Sequence, residues 1–243
     1  MKIHYLNWDT EFFGIKTGKI EIIDENDFNL LEFNDQALLE NYELIYLFKY
    51  GKMLSRDKMS KSSIELVDII LTMSKQFNNK AYVDIHYEFR NELSFAELKD
   101  CYNIAEQTSA VSRFCSERKV GPEKTKELYR KWIDNALNQS IADGLFLVKK
   151  ANSVVGIHLI KTDIKNKVGF CSLIGVASNY KGLGIGENLW EQSFGFWANE
   201  SNIERCKVSF SFQNYESFNF HLKMGFNKIE ETKYIYHFIN KIY

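Results

Sequence analysis

Between an apolar run, Gly169 to Ile174, and a helical pattern carried by Trp190, Phe194 and Trp197 lies Val176-Ala177-Ser178-Asn179-Tyr180-Lys181-Gly182-Leu183-Gly184-Ile185-Gly186. A strand, a glycine-rich turn and a helix start in that order constrain this chain more than any other feature. Glycine lets a backbone approach a ligand closely. The free N–H groups of a helix's first turn, with the positive end of its dipole, face an anion placed there. The same kind of turn also closes ordinary strand-to-helix connections, so the details of the pattern matter. A Walker loop carries its Lys after the last glycine and before Ser or Thr, whereas Lys181 precedes the glycines here. A dinucleotide-binding fold places its glycines early in a βαβ unit with an acid about 20 residues further on. The corresponding region, Ser201 to Arg205, leads into a strand with no such carboxylate at its end.

With 243 residues the chain is long enough for one such domain and a smaller one. The division expected is an N-terminal α/β domain over 1–105, contributing to acceptor binding, and a catalytic domain over 106–243. Thirty-two acids against 31 bases leave a net charge of −1, which argues against a protein that coats nucleic acid. No apolar stretch reaches the roughly 18 residues of a membrane span, and the first residues do not follow the layout of a secretory signal. Cys101, Cys115, Cys171 and Cys206 are scattered with no Cys-x-x-Cys pair. They read as reduced thiols of a cytoplasmic protein, not as disulfides or a zinc site. Asp84 and His86 share a strand face but have no further ligands at a suitable spacing, so no metal is expected.

Hydrophobic periodicity predicts strands at Lys19 to Ile23, Leu44 to Tyr50 and Ala81 to Ile85, and helices at Asn26 to Asn41 and Ser63 to Phe77. Two helices follow, Phe95 to Gln107 and Glu123 to Ser140, the second opened by Pro122. A meander of strands comes next: Gly144 to Lys150, Val154 to Thr162 and Lys167 to Val176. After the helix beyond the glycine turn, a strand Cys206 to Phe212, a helix from Asn214 and a strand Lys228 to Ile239 complete the pattern.

Lys181-Gly182-Leu183-Gly184-Ile185-Gly186 resembles the Arg/Gln-x-x-Gly-x-Gly/Ala acyl-CoA signature of the GNAT superfamily of N-acyltransferases, with Lys in the first place. Downstream, Asn214-Tyr215-Glu216-Ser217-Phe218-Asn219-Phe220-His221-Leu222-Lys223-Met224-Gly225-Phe226 resembles that family's Asn-x-x-Ala-x-x-x-Tyr-x-x-x-Gly-Phe helix. The resemblance implies an α/β fold with a central mixed, largely antiparallel twisted sheet flanked by helices. Trp8-Asp9-Thr10-Glu11-Phe12-Phe13-Gly14, Ser112-Arg113-Phe114 and Leu128-Tyr129-Arg130-Lys131-Trp132 further resemble segments of TDP-fucosamine acetyltransferases and of enzymes that N-acylate dTDP-3-amino-3,6-dideoxygalactose. By that likeness the chain moves an acetyl or 3-hydroxybutanoyl group from acyl-CoA to the amine of a dTDP-linked amino-dideoxysugar, for surface polysaccharide synthesis. A homodimer is implied by analogy alone. Two other readings remain: the same coenzyme site with a protein, polyamine or antibiotic amine as acceptor, and a non-catalytic sensor of CoA.

The resemblance also implies roles. A kink in the strand before the turn frees a backbone N–H for the oxyanion, and Val176 is the candidate, with Ile174 and Gly175 alongside. Gly175 marks either a bulge or a packing contact. The backbone from Gly182 through Leu183, Gly184, Ile185, Gly186 and Glu187, with Lys181, Asn214, Ser217 and Phe220, is assigned to the coenzyme. His221 stands where the family has its tyrosine acid. It serves as acid, as base or as a bystander in a site that works by proximity, and Glu216 and Glu191 are candidates to raise its protonated fraction. Trp8, Phe13, Arg113, Phe114 and His158 are candidates for the acceptor. Their bland readings stay open: core packing for the aromatics, a helix cap for Arg113 and a hydrogen-bonded strand residue for His158.

Overall fold

The computed structural model describes residues 2–60, 63–76, 81–82, 85–87, 89–90, 92–138, 142–200 and 203–239. They pack as two compact units, each assembled from separated stretches of chain. The first comprises 1–71, 210–215 and 229–243, and the second 72–209 and 216–228. Residues 72–105, which chain order groups with the N-terminal part, therefore lie in the second unit.

The first unit begins with β1 (His4–Tyr5), α1 (Asn7–Phe13), β2 (Thr17–Ile22), α2 (Leu30–Leu39), β3 (Leu44–Tyr50) and α3 (Arg56–Ser60). It continues into β4 (Ile64–Gln76) and, from the chain's end, takes β10 (Lys228–Ile239). β2 runs antiparallel to β1 and parallel to β3, which pairs antiparallel with β10 from Leu44↔Ile239 to Tyr50↔Lys233. Alternate residues of these strands, Ile20, Ile22, Ile45, Leu47, Tyr236 and Phe238, close a core with Phe28, Phe33 and Ala37. Asn29 starts α2 by accepting from the Leu31 and Glu32 N–H groups, and so satisfies donors that a helix start leaves open.

The helix predicted over Ser63 to Phe77 is instead the strand β4. Leu66, Ile69, Ile70 and Met73 do fall at helical spacing, but Ile64, Val67, Ile69, Ile70 and Thr72 are β-branched and favour the extended chain. Asp68, buried in β4, accepts hydrogen bonds from Ser211 Oγ (2.6 Å) and the Ile69 N–H (2.8 Å), which provides for its carboxylate there. The strand predicted at Ala81 to Ile85 does not form at Ala81, Tyr82 or Ile85. Val83 and Asp84 lie outside the described residues.

The second unit holds β5 (Phe89–Arg90), α4 (Phe95–Ser109), α5 (Arg113–Ser116), α6 (Gly121–Leu137), β6 (Gly144–Lys150), β7 (Ser153–Asp163), β8 (Val168–Val176), α7 (Ile185–Glu200), β9 (Arg205–Ser211) and α8 (Tyr215–Lys223). β5 to β8 form an antiparallel meander, and β9 joins β8 in parallel. This is the expected mixed, largely antiparallel sheet with flanking helices. α4 is set by a Ser94–Glu97 capping box and α6 by Pro122 in its first turn. α7 covers the sheet with Leu189, Trp190, Phe194 and Trp197, all buried. At about 25 cal/mol per Å² of apolar surface, aromatics of this size dominate what holds the helix down.

Candidate functional site

Three strands and two helices of the second unit build the site. β8 pairs with β7 from Asp163↔Val168 to Gly156↔Val176, with one irregularity: Leu159 faces Leu173 and Ile160 faces Cys171, so Ser172 is an extra residue on β8. A bulge of this kind bends and twists its strand. Pairing of β8 with β9 runs from Val168↔Arg205 to Cys171↔Val208 and goes no further. The two parallel strands thus part at the bulge.

Beyond it, the hydrogen-bond alternation decides where the backbone amides point. The Ala177 N–H donates to the Val155 carbonyl at 2.9 Å. Alternation along an antiparallel pair then turns Gly175 toward β7, and the N–H groups of Ile174 and Val176 toward the edge that β9 has left. The kink expected near Val176 therefore lies at Ser172. Gly175 is not a bulge; it pairs regularly with Ile157. Its role is packing, because a Cβ there would stand 2.7 Å from Thr108 Oγ1 and 2.8 Å from Ile104 Cγ2, both on α4.

After Val176 the chain makes a 3-10 turn, Ser178–Tyr180, tied to α4 by Gln107 Oε1, which accepts from the Ser178 N–H (3.0 Å) and Oγ (2.9 Å). Gly182 (φ +77°) and Gly184 (φ +76°) both adopt the left-handed conformation that only glycine takes readily. No neighbouring atom lies within 4 Å of a Cβ built at Gly182, so the glycines serve the turn and the space above it is open. The first helical bond of α7 joins the Asn188 N–H to the Gly184 carbonyl, which leaves the amides from Gly184 to Glu187 with no helical partner. Leu183 is exposed. Gly186 lets α8 lie against this turn, since a Cβ would stand 2.9 Å from the Phe220 ring. Lys181 is ion-paired with Glu216 Oε2 at 2.6 Å, and Lys223 with Glu187; both pairs join α8 to the turn region.

His221, on α8, is 1 % exposed, edge-on to Trp190 and Phe226. Its Nδ1 lies 2.8 Å from the Ser217 carbonyl and 3.2 Å from Ser217 Oγ. A carbonyl only accepts, so Nδ1 carries the proton and Nε2 the lone pair. Burial pushes the ring's pKa down to about 4 against the partial support of the Ser217 carbonyl, and the imidazole is neutral at pH 7. Neither suggested carboxylate raises it: Glu216 is engaged with Lys181, and Glu191 is exposed.

His158 sits on β7 opposite Ile174 with its ring beneath α7, fully buried, its Nδ1 2.8 Å from Ser193 Oγ. Ser193 Oγ in turn donates to the Leu189 carbonyl, so Nδ1–H donates to Ser193. Burial lowers its pKa to about 3, and His221 adds to the effect. Asn214 directly precedes α8, its N–H bonded to the Ser211 carbonyl at 2.9 Å. Arg113 heads α5 with its guanidinium 4.1 Å above the ring of Phe114, which is buried. In the first unit, Trp8 is 42 % exposed and stacks on Phe12 at 4.8 Å, and Phe13 meets Phe12 edge-on at 5.2 Å. α1 buries none of its residues, so this aromatic cluster is not core.

Gln107 and the acid partners of Lys181 and Lys223 carry no signal in local spacing, because each acts on a residue more than 30 positions away. The four cysteines are free thiols, and no group of three His, Cys, Asp or Glu among the described residues is arranged to hold a metal. No described helix is long and apolar enough to cross a membrane.

Residues 98–226 match the model of the Acetyltransferase (GNAT) family, more than half of the chain. No curated protein matches it. Among solved structures it is similar to a functionally unknown conserved protein from Staphylococcus epidermidis ATCC 12228, with TM-score 0.65 and 11 % identity over 98 % of this chain and 90 % of that one. It is also similar to a GCN5-related N-acetyltransferase from Sphaerobacter thermophilus (TM-score 0.53, 13 % identity, 85 % and 65 % of the two chains) and to a tandem GNAT protein from the clavulanic acid biosynthesis pathway (0.51, 8 %, 85 % and 67 %). At these identities the likeness is one of fold. With the strand, turn and helix of the site inside the matched segment, the chain belongs to the GNAT acetyltransferase family and is an acyl-CoA-dependent N-acetyltransferase.

Proposed function

We propose that this protein transfers an acetyl or 3-hydroxybutanoyl group from its CoA thioester to the amino group of a dTDP-linked amino-dideoxysugar. The observation that carries the donor half is the open turn of Gly182 and Gly184, followed by the unpaired amides that start α7. Diphosphate oxygens are stabilised there by N–H donors and the helix dipole, with Lys181 beside them. The Val176 N–H, on the free edge of β8, is positioned to donate to the thioester oxygen as it becomes an oxyanion. Fixed donors of this kind and the alignment of amine and thioester supply most of the rate. His221, neutral and donating through Nδ1, is not an imidazolium acid at pH 7. Its Nε2 lone pair leaves it the roles of base or of packing residue, and water protonates the departing thiolate.

The acceptor half is supported by the resemblance of residues 8–14 and 112–114 to nucleotide-sugar acyltransferases. The exposed face of Trp8 suits a thymine ring, and the Arg113 guanidinium suits a sugar-nucleotide diphosphate. The test is thiol release from acetyl-CoA and 3-hydroxybutanoyl-CoA with a panel of dTDP-aminosugars, polyamines, peptide N-termini and aminoglycosides. Release confined to the dTDP-aminosugars is expected. Release with another class of amine replaces the acceptor, and CoA binding without release from any of them makes the protein a sensor.

A further inference from the structure

The acids at the coenzyme turn are placed oddly for an anion site. Glu187 stands in the first turn of α7, and its Oε2 lies 3.4 Å from where a Gly184 side chain would begin. A carboxylate in a helix's first turn is favoured by the same dipole that would receive a diphosphate. It also repels one. Lys223, 73 % exposed on α8, is bonded to the other oxygen of the same carboxylate. Lys181, on the near side of the turn, is held by Glu216 in the same manner.

We propose that Glu187 is a competing anion for the diphosphate of acyl-CoA, and that Lys223 is a coenzyme-binding residue which passes from Glu187 to the diphosphate when the coenzyme arrives. This rests on the coenzyme reading of the turn. The exchange is cheap, because an exposed ion pair contributes little, while a diphosphate offers the ammonium more charge at a helix start already suited to it. Lys181 and Glu216 form a second pair of the same design. Paired with these carboxylates, Lys223 and Lys181 stay close to the turn, and coenzyme affinity is set below what the amides and lysines would give unopposed.

The test is calorimetric titration of CoA into the full chain, the Glu187→Gln and Lys223→Gln variants and the double variant, at low salt, with the melting temperature of each as the check on folding. Removing the competing charge is expected to tighten CoA about fivefold in Glu187→Gln. Removing its counter-ion is expected to weaken CoA about tenfold in Lys223→Gln, and the double variant to recover most of that loss. Equal or weaker affinity in Glu187→Gln, or undiminished affinity in Lys223→Gln, overturns the proposal while leaving the coenzyme site intact. A parent chain that does not bind CoA removes the coenzyme reading itself, and this inference with it.

Discussion

A histidine whose Nδ1–H is spent on the Ser217 carbonyl, and whose ring packs against Trp190, Phe220 and Phe226, has only its Nε2 lone pair left for chemistry. The sequence places His221 correctly on the second helix of the site. It does not reveal the burial that lowers its pKa to about 4, since that follows from aromatic neighbours on α7 and past the end of α8. A neutral ring does not titrate between pH 5.5 and 7.5. The pH profile of kcat/KM in the full chain is therefore expected to show no inflection in that range that disappears in His221→Gln, although the variant's absolute rate falls. Loss of such an inflection in the variant would restore His221 as an acid working near neutrality.

At the scale of elements, local pattern was sufficient for the bounds of strands with a clear periodicity and for turns set by glycine. β3, β6 and β10 begin and end where periodicity puts them, and the glycine turn and the α7 start were legible because their conformation is written in Gly182 and Gly184. β4 was not legible: thirteen residues with a helical stripe are held extended by partners from the far end of the chain, among them Ser211. The bulge at Ser172 was hidden for the same reason, because register belongs to a pair of strands and not to one. Gly175 shows the consequence. A side chain there must push α4 away from the end of β8, so Gly175→Val is expected to cost about 1–3 kcal/mol of stability and to lower kcat more than it raises KM for acyl-CoA, as the Val176 amide shifts. Chemical denaturation with steady-state kinetics checks both. Full stability with unchanged kcat would show that the β8–α4 contact does not position that amide.

For the whole molecule, two buried histidines link folding to pH. His158 and His221 have folded pKa values of about 3 and about 4, both lowered by burial from an ordinary 6.5. The unfolded chain binds protons that the folded chain refuses, so stability is fully present above about pH 6.5 and is lost as pH falls from there toward about 4. Each ring contributes a slope of about 1.4 kcal/mol per pH unit in that window. Denaturant melts at pH 7.5 and pH 5 are expected to show a lower midpoint at pH 5, and equal midpoints would mean that both rings reach solvent. The two-unit packing, with β10 completing the sheet that β1 to β3 begin, was beyond a linear reading, which has no means of returning the chain's end to its start. The coenzyme site needs no such return within the second unit. Backbone amide shifts on adding CoA, compared with pantetheine, which lacks the diphosphate, test it most directly. Large shifts are expected at Gly184, Ile185, Gly186 and Glu187 with CoA and small ones with pantetheine; unmoved amides at these four residues in a chain saturated with CoA would rule out a diphosphate at this turn.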